Sequence, residues 1–112
     1  MASEAKHIVF DHLSLSELGN GFFGSNLVEL GDFELTFITG DEGAGHDAHT
    51  HEDLHEILIV LDGDCAFTVN GSQVKVTGGS LLHVPPGTHH GVRYKAKSKV
   101  LRLKFVRSES PA

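Results

Sequence analysis

The sequence is poor in cysteine, in long apolar runs and in helix signals, and each shortage closes off a class of protein. Cys65 is the one cysteine among 112 residues, so no disulfide forms within the chain, and a reducing, cytoplasmic setting is expected. Cys65 itself lies in an apolar strand pattern and reads as a small buried hydrophobe. The longest apolar run, Ile57-Leu58-Ile59-Val60-Leu61, falls far short of the roughly 20 residues of a membrane-crossing helix, so no membrane partner is expected. Met1 to Lys6 lack the basic start and apolar stretch of a secretory leader. Also missing are a Gly-x-x-x-x-Gly-Lys-Ser/Thr phosphate loop, a Gly-x-Ser-x-Gly nucleophile elbow and paired-cysteine zinc spacing. Asp41, Glu42 and Asp47 do not have the spacing of a calcium loop. No repeat, low-complexity tract or linker divides the chain, and its length suits one core, so residues 1–112 read as a single domain.

Positive charge is scarce in the first part of the chain. Residues 1–64 hold 14 acids and 1 base, and residues 65–112 hold 1 acid and 8 bases, for a net charge of −6. The basic part centres on Arg93-Tyr94-Lys95-Ala96-Lys97-Ser98-Lys99. Clustered cations neutralise phosphates in nucleic-acid binders, but no aromatic stacking platform accompanies these. They read as a solvated hairpin that keeps a sheet edge from pairing with other chains, and no nucleic-acid partner is expected.

What is present is glycine and short alternating segments. Thirteen glycines punctuate the apolar stretches, as many-stranded β folds require. Phe33, Leu35 and Phe37 share one strand face. In Val100 to Val106, Leu101, Leu103 and Phe105 are expected inward, with Arg102 and Lys104 outward. Asn70-Gly71 joins two strand-like segments as a hairpin turn, Asp62-Gly63 makes a similar turn, and Pro85-Pro86-Gly87 ends the next strand. The only helical signal is one turn over Ser14 to Leu18, ending at Gly19. Many short strands with hairpin turns imply an all-β sandwich or barrel. The Ile57–Leu61 run is apolar on both faces, so a cover is expected on each side; in so small a chain a second subunit supplies one of them, giving a homodimer.

Histidine is the abundant residue, nine in all, among them His46, His49, His51, His55, His83, His89 and His90. Side chains two apart on a strand share a face, so His49 and His51 present their rings side by side. The four residues between His51 and Glu56 allow the chain to turn back alongside. Glu56 then opens a doubly buried strand, where an unpaired carboxylate is costly and a metal ion removes that cost. His55 faces away from Glu56 on a regular strand, so Glu56 is the preferred ligand, although His55 remains an alternative. His46 sits in the glycine-containing loop before the ligands, either as a candidate acid or base or as a loop histidine with no role. His83, Phe23, Phe37, Phe67 and Tyr94 are candidate pocket walls.

These residues resemble the cupin superfamily. Gly43, His49, His51, Glu56 and Gly63 match its first motif, spanning 43–63, in residue type and gap. Gly79, Pro85, Gly87 and His90 match the second, spanning 79–94, in which Tyr94 replaces the motif's final asparagine. His89 lies one residue off that register, as a surface or supporting group or an alternative ligand. The resemblance implies a small RmlC-like cupin, a jelly-roll barrel or double-stranded β-helix. It also implies one divalent metal per subunit on His49, His51, Glu56 and His90. That donor set suits iron, manganese, nickel, cobalt or zinc and selects poorly among them.

The function this implies is metal-dependent chemistry on a small organic molecule. An iron or manganese dioxygenase and a Lewis-acid isomerase or lyase are both consistent with it, with His46 or Tyr94 moving protons. The alternative is a small-ligand binding or sensor module without catalysis.

Overall fold

The computed structural model describes residues 5–106. Among the described residues, ten antiparallel strands follow a single 3-10 turn at Phe10–His12. They are β1 (Ser16–Gly19), β2 (Phe22–Leu30), β3 (Phe33–Gly40), β4 (Gly45–Thr50) and β5 (Leu54–Asp62). After these come β6 (Asp64–Val69), β7 (Ser72–Thr77), β8 (Ser80–Val84), β9 (His89–Tyr94) and β10 (Ser98–Val106). A six-stranded sheet in the order β1-β2-β3-β10-β5-β8 faces a four-stranded sheet in the order β4-β9-β6-β7. This is the jelly roll that the sequence motifs imply. No helix of the described residues is long and apolar enough to cross a membrane.

The turns form where their chemistry allows. Asn70 and Gly71 both take positive φ, 48° and 84°, and join β6 to β7 as the tight hairpin their sequence demands. The helical turn expected over Ser14–Leu18 is absent. Ser16–Gly19 is β1 and pairs with β2, because so short a segment gains more from sheet pairing than from one helical turn.

Leu58, Val60, Val84 and Val100 from the larger sheet meet Cys65, Phe67, Val76 and Val92 from the smaller one, and together they form the core. Cys65 is fully buried there, as expected of a small hydrophobe. β10 has the opposite orientation to the one alternation implied. In register, Leu101 lies beside Phe37 and Ile59, Leu103 beside Leu35 and Ile57, and Phe105 beside Phe33 and His55. These residues form the outer face of the six-stranded sheet, and Arg102 and Lys104 point between the sheets instead. Alternation reports which residues share a face, but not which face is the core. Part of the outer face is covered by the 3-10 turn, whose Phe10 ring stacks on Phe37 at 4.6 Å. Ile57, Ile59, Leu101 and Leu103 remain half-buried on the same face.

Candidate metal centre

His49, His51, Glu56 and His90 converge between the two sheets. His90 on β9 is the register partner of His49 on β4. His51 follows the end of β4, where its carbonyl accepts a hydrogen bond from the Gly87 N–H at 2.8 Å. Glu56 reaches across from β5 and is buried, while His55 on the same strand turns to the outer face. There His55 stacks on Phe105 and approaches His83, Nδ1 to Nε2 at 3.0 Å. His89 is exposed and bonds to the Thr50 hydroxyl at 3.0 Å. Neither His55 nor His89 joins the cluster.

A bulge brings His46 onto the face of the cluster. Between His46 and His49, β4 carries one residue more than the facing Val92-to-His90 stretch of β9. In a regular strand, side chains three apart point to opposite faces; the extra residue brings them to the same one. His46 and His49 therefore both face the cavity, their ring centroids 4.8 Å apart. Gly91 makes the room: a Cβ there would lie 2.8 Å from the Ala48 backbone nitrogen and 3.0 Å from the His46 carbonyl.

The donor atoms have the spacing a metal ion requires. One nitrogen or oxygen from each of the four residues lies within 4.8 Å of the others. His49 Nε2 is 3.0 Å from His51 Nε2. Glu56 Oε1 is 3.0 Å from His51 Nε2 and 3.3 Å from His90 Nε2. Neighbouring donors at right angles, each roughly 2.1 Å from one ion, lie about 3 Å apart. His90 donates its Nδ1–H to the Thr88 carbonyl at 2.8 Å, which fixes the ring with Nε2 directed at the cluster. The residues fit one metal ion.

Electrostatics reinforce the arrangement. Burial would raise the Glu56 carboxyl, but the His90 hydrogen bond and charge, with Lys104 and Arg102, hold it down at about 2. The bond to Glu56 raises His90, against the effect of its burial. Burial lowers His46 and His51 and so favours neutral imidazoles. Tyr94 is pushed up to about 12 by burial, so at neutral pH its phenol stays protonated.

A cavity of about 320 Å³ opens beside the cluster. Phe22, Ile38, Leu58, Val92 and Tyr94 supply apolar wall, with His46 next to the ligands. Of the other expected wall residues, Phe37 lies under Phe10 on the outer face and His83 pairs with His55 there. Phe67 is in the core, and Phe23 is likewise outside the cavity. Arg102 and Lys104 line the cavity unforeseen. Their shared face was legible in the sequence, and its direction was not.

Comparison with known proteins agrees with this architecture. The family model described as a cupin domain matches residues 35–106. Quercetin 2,3-dioxygenase of Bacillus subtilis is 27% identical over 95 residues, which are 85% of this chain and 27% of that protein. The chain thus spans about a quarter of the length of that relative. Among solved structures, KdgF from Halomonas sp. superposes with a TM-score of 0.83 at 21% identity, covering 96% of this chain and 97% of that one. A predicted oxalate decarboxylase from Thermotoga maritima gives 0.83 at 16% identity, covering 91% and 100%. These two likenesses, both at low identity, concern the fold.

Proposed function

The chain belongs to the cupin family, and from that premise we propose that it is a metal-dependent enzyme acting on a small organic molecule. The observation that carries this reading is the convergence of His49, His51, Glu56 and His90 beside a cavity with apolar walls. A structural metal site is closed by its protein ligands, whereas this cluster borders open space that a substrate can fill. The four residues would hold one divalent ion: iron, manganese, nickel, cobalt or zinc. When bound, such an ion supplies Lewis acidity and, if redox-active, a centre for dioxygen chemistry. The sequence relationship to a quercetin dioxygenase favours the dioxygenase reading over a Lewis-acid isomerase or lyase.

The chain's own groups have definable tasks. Phe22, Leu58 and Val92 give the cavity apolar wall beside the cluster, which strengthens polar contacts made against it. His46 donates its Nδ1–H to the Asp47 carbonyl at 3.0 Å, leaving Nε2 free to accept a proton. Tyr94, held protonated, serves as a hydrogen-bond donor and not as a base. We take residues 1–112 as one cupin domain in a reducing cytoplasm, in keeping with the buried thiol of Cys65. The half-buried apolar outer face of the six-stranded sheet supports assembly as a homodimer through that face.

A turnover screen of small organic substrates, with iron(II) or manganese(II) added and oxygen uptake recorded, tests the catalytic reading. The expected result is turnover that His51→Ala abolishes. Tight binding of a small molecule without any turnover would instead identify a ligand-binding or sensor module.

A further inference from the structure

The inner face of β10 carries positive charge that metal binding does not use. Arg102 and Lys104 line the same cavity as His49, His51 and Glu56. Cations placed between two sheets are costly unless anions meet them. The available anions are Glu34 and Glu56, and Lys104 stands in register between them. Arg102 Nη2 lies 3.7 Å from Glu34 Oε1, a loose contact. Donors are left over. The Arg102 Nε is buried without a hydrogen-bond partner, and Lys104 enters no ion pair among the described residues.

Glu34 and Glu56 balance Arg102 and Lys104 only while the cluster is free of metal. A divalent ion on neutral imidazoles and Glu56 leaves the cavity with an excess of about two positive charges. Glu29 and Asp32 border the far side of Lys104, but both are exposed, where solvent screens them. The excess charge is confined to about 320 Å³, the small end of the range for ligand pockets. Apolar walls focus such a field on whatever enters.

We propose that the cavity takes a small organic anion whose carboxylate is gripped by Arg102 and Lys104, with the rest of the molecule toward the histidine cluster. This rests on the metal reading above. Arg102 offers the planar pair of N–H donors that matches a carboxylate, and Lys104 adds a compact charge beside it. Phe22, Val92 and Tyr94 are left to pack the remainder of the ligand.

Calorimetric titration with malonate and its uncharged counterpart malonamide tests this, on protein whose metal content has been counted. Metal-loaded wild type is expected to bind malonate at least about tenfold more tightly than malonamide. Arg102→Gln and Lys104→Gln are each expected to weaken malonate about tenfold, with metal content unchanged. In wild type, malonate should also protect Lys104 from acetylation, a readout that needs no variant. Equal malonate affinity in wild type and both variants with metal still bound, or unprotected Lys104, overturns the anion proposal and leaves the metal reading standing. Wild type that takes up no metal overturns both.

Discussion

His90 and Glu56 reach each other from opposite sheets, Nε2 to Oε1 at 3.3 Å, and both are buried. Each changes the other's proton affinity: Glu56 is held at about 2, and His90 is raised. A buried carboxylate–imidazole pair is retained by what it binds more readily than by what it adds to stability.

The pair gives metal-free protein a defined pH profile. Glu56 falls from its ordinary 4.5 to about 2 on folding, so its stabilisation is full above pH 4.5 and fades as pH drops toward 2. His90 is raised on folding, so its share is full below 6.5 and fades as pH rises through its folded value. Metal-free protein should therefore be most stable between these limits. The acid-side loss should be on the order of 1–3 kcal/mol. Urea denaturation across this range should show the acid loss in wild type and its absence in Glu56→Gln.

Gly91 holds the bulge that brings His46 and His49 onto one face. Gly91→Ala would press a methyl group against the Ala48 backbone and force the strand to shift. We expect a stability loss of about 1–3 kcal/mol by thermal melting. Metal affinity should also weaken, which competition with a chelator would measure. A variant with wild-type melting and wild-type affinity would remove the bulge from the account.

Tyr94 is the one tyrosine of a chain that has no tryptophan, so its ionisation can be followed directly in the near ultraviolet. With its phenol pushed up to about 12 by burial, the folded protein should show almost no phenolate at pH 10, where an ordinary tyrosine is half ionised. Unfolded protein should titrate near 10. The folded state should therefore lose stability as pH rises beyond 10.

The outer face of the six-stranded sheet predicts assembly. Ile59 and Leu101 are register partners on that face and only half-buried in one chain. Sedimentation at micromolar concentration should give a dimer for wild type and a monomer for Ile59→Glu. Monomeric wild type would contradict the homodimer.

The sequence carried the grouping of His49, His51, Glu56 and His90 because motif spacing survives the details of folding. Alternation showed that Glu56 and His55 face opposite ways and cannot both join the cluster, and the motif spacing favoured Glu56. The Asn70-Gly71 hairpin was legible because few residues tolerate its backbone. The bulge was not, because it arises from pairing between β4 and a distant glycine on β9. His46 therefore read as a loop residue, and the structure places it in β4. The direction of Arg102 and Lys104 was hidden for a related reason. Leu101, Leu103 and Phe105 are apolar enough to suggest core, and only the packing of two sheets shows that the cavity side is the charged one.

The most direct test of the metal reading is elemental mass spectrometry of untagged, chelator-free protein, reported per subunit. About one equivalent of iron, manganese, nickel, cobalt or zinc is expected, lost in a His49→Ala, His51→Ala double variant that still folds. No metal in wild type, and no uptake when each ion is offered in turn, would contradict it.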